Sequence, residues 1–83
     1  MVKVLFFARL REQLGEEHIV LEQVSDALSV NQIIALLVSE HPDWHKPLAE
    51  KSVMVAVNQQ VVNGEHIVEP GDEVAFFPPV TGG

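Results

Sequence analysis

The sequence predicts an α+β fold: a mixed sheet of about five strands with one main helix packed on one face. Two observations carry the prediction. Segments rich in β-forming residues come in runs on either side of a single long helical pattern, instead of alternating with helices. The chain has 83 residues, 47% of them apolar, which suits one domain with one modest core.

The elements follow in order. Residues 2–8 alternate, with Val2, Val4, Phe6 and Ala8 on one face and Lys3, Leu5 and Phe7 on the other. Residues 9–14 read as a short helical turn that Gly15 stops. Residues 18–24 read as a second strand, Ile19 and Leu21 opposite Val20 and Glu22, and Gly15-Glu16-Glu17 is long enough to return the chain as a hairpin. Ser29 is an N-cap, and Gln32 three residues later completes a capping box. Val30, Ile33, Ile34 and Leu37 then match the i, i+3, i+4, i+7 spacing of a buried helix face. His41 precedes Pro42 and is thereby driven out of the helical region, so the helix ends near Glu40. Residues 43–50 read as a polar connection carrying Trp44 and Pro47.

In residues 52–58, Val53, Val55 and Val57 share one side of a third strand. A turn at 58–60, a short return strand of Val61 and Val62, and the turn signal Asn63-Gly64 follow. Residues 66–68 are a brief extended piece. Glu69-Pro70-Gly71-Asp72 sets Pro and Gly where a type II turn wants them, and 73–77 is the last strand. Pro78 and Pro79 end it, since neither has an N–H for a ladder. With the first and last strands paired in parallel at the centre, this order is the β-grasp, or ubiquitin-like, arrangement. Residues 1–77 make that domain, and 78–83 make a flexible C-terminal tail.

Composition excludes several functions. With no cysteine there is no disulfide framework, thiolate nucleophile or Cys-based metal site. A net charge of −7 disfavours nucleic acid and suits solubility or a basic partner. No apolar run approaches the ~20 residues of a membrane span. The run Val4-Leu5-Phe6-Phe7-Ala8 is too short for a signal-peptide core and is closed by Arg9 and Arg11, so the expected compartment is the cytoplasm.

Side chains offer little catalysis. His41 and His45 have the i, i+4 spacing of a helical metal pair, but Pro42 breaks the helix between them and no third ligand is indicated, so no metal site is expected. Glu65, Glu69, Asp72 and Glu73 read as a solvated hairpin edge. Lys3, Arg9 and Arg11, the basic cluster, either meet an acidic partner or balance local acids such as Glu12. There is no nucleophile elbow or phosphate loop.

Two features stand out. Lys3 and Glu73 should face water, and strand alternation then sets Phe7 and Phe77 on the same outer face, near each other if their strands pair. An exposed apolar patch of this kind marks a protein interface, unless the 43–50 connection with Trp44 covers it as a second layer. The second feature is the ending Pro78-Pro79-Val80-Thr81-Gly82-Gly83. With glycine near 7% of residues, Gly-Gly arises there by chance about 0.5% of the time. The prolines stiffen the root of such a tail, and Gly82 and Gly83, lacking Cβ, pass through a channel too narrow for other residues. The reactive group there is the Gly83 carboxylate, inert until activated, for example by adenylation. The plainer reading is a frayed terminus.

The block from Gly71 to Gly83, the opening Val2-Lys3-Val4-Leu5-Phe6-Phe7-Ala8 with Arg11-Glu12, and Val57-Asn58-Gln59 resemble the small, sulfur-carrier subunits of molybdopterin synthase. The resemblance implies a β-grasp fold and a cycle in which an E1-like activating enzyme uses ATP to adenylate Gly83. A sulfur-transfer system then converts the carboxylate to a thiocarboxylate. The large synthase subunit receives the tail, and sulfur passes to precursor Z (cyclic pyranopterin monophosphate), twice per dithiolene. Position by position, it implies Gly83 as sulfur bearer, Gly82 as its narrow neighbour, and Pro78, Pro79, Val80 and Thr81 as the inserted tail. It also implies Phe7, Val61 and Phe77 as the docking surface with Arg11 as a polar contact beside it; Val61 rests on the resemblance alone. No bound cofactor is implied, ATP being the activating partner's, and a dimer of heterodimers is the assembly suggested. A carrier for another pathway such as thiamine-type thiazole synthesis, a ubiquitin-like modifier joined to lysines, and a plain interaction domain stay open as alternatives.

Overall fold

The structure, a computed structural model, describes residues 1–78; the expectations for Pro79, Val80, Thr81, Gly82 and Gly83 lie outside the described residues. Strand β1 (Val2–Phe6) buries Val2, Val4 and Phe6 and leaves Lys3 exposed. The strand stops two residues short of its expected end. Phe7 is still extended, but Ala8 takes φ +54° and opens helix α1 (Ala8–Leu14), so Ala8 is exposed instead of sharing the core face. The turn is what lets Leu10 and Leu14 of α1 reach the core. Gly15 ends α1 as expected, at φ +75° with its N–H donating to the Arg11 carbonyl.

Strand β2 (His18–Leu21) runs antiparallel to β1 and ends three residues before the expected limit, although Val24 is still buried. The two-residue β3 (Leu28–Ser29) leads into helix α2 (Val30–Glu40), whose 11 residues and bounds match the spacing and capping signals. Both halves of the capping box are present: the Gln32 N–H donates to Ser29 Oγ (3.1 Å), and the Ser29 N–H to Gln32 Oε1 (2.8 Å). Val30, Ile33 and Leu37 are fully buried against the sheet's inner residues.

The expected polar connection at 43–50 is instead a 3-10 turn (Pro42–Trp44) continued by a short helix α3 (His45–Ala49). The reason is two apolar residues four apart. Trp44 and Leu48 fall on one side of that turn, and both enter the core. Trp44, 2% exposed, meets Phe6 edge-on at 5.3 Å, and His41 stacks on the indole at 3.9 Å. The tryptophan therefore belongs to the core side of the sheet and does not roof the opposite face.

Strands β4 (Met54–Val57) and β5 (Gln60–Val62) form a hairpin whose two loop residues, Asn58 and Gln59, have φ +50° and +71°. Positive φ at both positions is the type I′ geometry that matches strand twist, so Gln60 belongs to the strand and not to the turn. Strand β6 (Ile67–Val68) pairs with β3 in a separate two-stranded sheet that sequence patterning did not indicate. The type II turn at 69–72 is present, with Gly71 at φ +97° and the Asp72 N–H donating to the Glu69 carbonyl (3.0 Å). Strand β7 (Glu73–Phe77) has the expected bounds. The main sheet has the order β2-β1-β7-β4-β5, with the first and last strands parallel and central and every other pair antiparallel. This is the β-grasp arrangement. Among the described residues, no helix is long and apolar enough to cross a membrane.

Candidate functional site

Among the described residues, the helices pack on one face of the main sheet and the other face is left open. Register fixes what that face presents. One cross-strand row runs His18, Leu5, Ala75, Ala56, Val61 over all five strands. On one side of it, Val20, Lys3 and Glu73 line up as a mostly polar row. On the other, Met54 stands opposite Phe77. The Phe7 N–H donates to the Phe76 carbonyl (3.1 Å), which carries the parallel alignment one residue past β1 and brings Phe7 alongside Phe77. The face thus grades from charged to aromatic toward the end where β7 leads into Pro78.

The residues singled out from sequence are placed as follows. Phe7 is 46% exposed, Val61 is 58% exposed, and Phe77 is half-buried, all three on the open face. Arg11 is exposed on α1, one helical turn beyond Phe7. Pro78 is half-buried and lines a shallow cavity of about 170 Å³ with Arg9, Gln13, Glu50 and Ser52 among the other walls. Sequence reasoning missed Met54, which is 37% exposed, and Ala56, which completes the floor that Leu5 and Ala75 begin. Parity within β4 sets Met54 and Ala56 opposite Val55 and Val57. Only the strand order shows that this parity points them to the same side as Phe7 and Phe77.

The far end of the face is held by polar contacts. The Asn58 Nδ2 donates to Asp72 Oδ1 (3.0 Å), the Glu69 N–H to Asp72 Oδ2 (2.9 Å), and the Glu73 N–H to Asn58 Oδ1 (3.0 Å). The Glu69 N–H first, and then the Asn58 amide, hold the Asp72 carboxyl below the usual carboxylate range. The hairpin turn is thereby tied to the root of β7, and Val61 keeps its place in the row.

The histidines do not converge. His41 stacks on Trp44, while His18, His45 and His66 are exposed. No group of three or more His, Asp or Glu of metal-binding size gathers among the described residues. No buried polar side chain waits for a partner there either. What this surface can do is dock a protein: an apolar floor of small residues bordered by two phenylalanines, a methionine and a valine, with Arg9 and Arg11 on the adjoining helix.

The model of the ThiS family matches residues 4–83. The chain is 41% identical, over all 83 residues and the whole of each relative, to the molybdopterin synthase sulfur carrier subunits of Escherichia coli and Haemophilus influenzae. Among solved structures it is similar to SAMP1 from Haloferax volcanii, with a TM-score of 0.81 at 26% identity, covering 99% of this chain and 98% of that one.

Proposed function

This chain belongs to the ThiS family, and on that premise we propose that it is the sulfur carrier subunit of a molybdopterin synthase. The carrying observation is the 41% identity over the full 83 residues to proteins of that name. By itself the chain is not catalytic; it is the sulfur-donating half of a two-subunit enzyme. The Gly83 carboxylate is adenylated by an E1-like activating enzyme, whose ATP is the nucleotide consumed. A sulfur donor displaces the adenylate and leaves a thiocarboxylate. That sulfur then passes to precursor Z in the large subunit, and two transfers build the dithiolene of molybdopterin.

The open face supports the docking part of this reading. Phe7, Val61 and Phe77 are its apolar contacts, and Arg11 is the polar contact beside them. Residues 78–83 act as the tail, Pro78, Pro79, Val80 and Thr81 leading Gly82 and Gly83 into the partner. The glycines suit a channel too narrow for a Cβ. The compartment is the cytoplasm, and the assembly is a dimer of heterodimers.

The test is the intact mass after incubation with a cognate activating enzyme, ATP and a sulfur donor. Replacing one oxygen by sulfur adds about 16 Da, as methionine oxidation also does, so the C-terminal peptide is sequenced. A gain confined to Gly83 is expected; no gain with an enzyme proven on a control carrier overturns the reading. The similarity to SAMP1, a small archaeal modifier protein, favours one second reading, a ubiquitin-like modifier. It requires covalent conjugates through Gly83 that survive denaturing electrophoresis.

A further inference from the structure

We propose that Met54 is a docking residue of the open face, and that its thioether makes docking sensitive to hydroperoxides. The inference rests on the reading that this face receives the large synthase subunit. It starts from register. Met54 stands directly opposite Phe77 across the β4–β7 ladder, and Phe7 lies on the other side of Phe77. The three side chains form one apolar row over the three central strands, at the end of the sheet from which the tail departs. Directly opposite residues have Cβ atoms about 5 Å apart, so the thioether and the Phe77 ring are neighbours.

Two further observations separate Met54 from an incidental surface methionine. The neighbouring row toward the sheet centre is floored by Ala75 and Ala56, so nothing tall stands between Met54 and Val61. A partner seated on Phe77 and Val61 therefore covers Met54 as well. In addition, the side chain is 37% exposed and contributes nothing to the buried core cluster. Its chemistry can change without opening a cavity.

The chemical step balances simply. The thioether sulfur attacks the terminal oxygen of a hydroperoxide; the O–O bond breaks, an S–O bond forms, and water or an alcohol leaves. The sulfur is oxidised by two electrons and the peroxide is reduced by two. The product is a polar sulfoxide in the middle of an apolar contact, whose dipole loses its water when the partner docks. Met1, the only other methionine, is at the opposite end of β1, about 20 Å of strand away from Phe7. It is 66% exposed and serves as an internal control for oxidation outside the docking row.

The experiment uses hydrogen peroxide on the full chain and titration calorimetry against the large subunit. Peptide mapping assigns each sulfoxide, and a thermal melt confirms the fold. Oxidation at Met54 is expected to weaken binding about tenfold with the melt little changed. The variant Met54→Leu is expected to show the same affinity before and after peroxide, whatever that affinity is, although Met1 is still oxidised. The variant Met54→Gln is expected to mimic the oxidised state. Equal affinity before and after complete oxidation of Met54 overturns the proposal, as does equal peroxide sensitivity in Met54→Leu. Failure of the untreated chain to bind the large subunit at all instead sinks the functional reading on which the proposal rests.

Discussion

Phe76 and Phe77 are adjacent in sequence and belong to opposite faces of the same strand, so truncating each should separate folding from docking. Phe76 is 1% exposed and stacks on Phe6 at a centroid distance of 6.1 Å within the core cluster. Phe76→Ala loses the transfer energy of a buried ring and leaves a cavity, about 3–5 kcal/mol together. A domain of this length has about 4–12 kcal/mol of stability in total. At about 5 °C per kcal/mol, Tm falls by about 15 °C or more. Phe77 is half-buried at the end of the open face, so Phe77→Ala removes roughly half of a burial term of 1.5–3 kcal/mol and opens no interior cavity. Its Tm should fall by only about 4–8 °C. Affinity should move the other way. A central aromatic anchor at an interface is worth 2 kcal/mol or more, so Phe77→Ala should weaken binding to the large subunit by about 30-fold. Phe76→Ala, measured where it is still folded, should stay within a few-fold of the parent. Thermal unfolding by circular dichroism and calorimetric titration measure both quantities. Equal Tm losses for the two variants would refute the face assignment. A normally folded Phe77→Ala with unchanged Kd would refute the docking role.

Two other perturbations test the polar clamp and the tail. Because hydrogen bonds hold the folded-state carboxyl of Asp72 below its ordinary value of 3.8, the group contributes stability above that pH and loses it as pH falls through the lowered value. Asp72→Asn should therefore be less stable than the parent at neutral pH, with the gap narrowing on acidification below about pH 4, as followed by denaturant melts across pH; a gap that does not depend on pH removes the carboxylate from the account. Gly82→Leu should leave Tm and docking by the open face intact while stopping sulfur transfer in single-turnover measurements with thiocarboxylated protein, and unchanged turnover argues against a narrow channel.

How far the chain was legible depended on how local each signal was. Helix α2 could be read to its ends because Ser29, Gln32 and Pro42 act within a few residues of the backbone they cap or break. The type II turn at 69–72 was equally plain, since Pro70 and Gly71 have the φ values that turn demands. The helical stretch around Trp44 was not legible. Its polar composition outweighed one Trp–Leu pair, and that pair forms a helix only because a core is there to receive it. The pairing of β3 with β6 was hidden for the same reason, since two-residue strands carry no periodicity and are held by a partner nearly forty positions away.

The candidate site divides in the same manner. Alternation about Lys3 and Glu73 was enough to set Phe7 and Phe77 outside the core, because parity along a strand is a property of the backbone. The ending in Gly-Gly pointed to carboxylate chemistry without any fold at all. The sequence by itself determined the helix, the last strand and the parity of each strand. Only the tertiary structure decided which parities share a face, that Trp44 packs beneath the sheet and leaves the other side open, and that Met54 and Val61 join the phenylalanines there. Those facts depend on strand order and register, which arise from contacts between residues far apart in the chain.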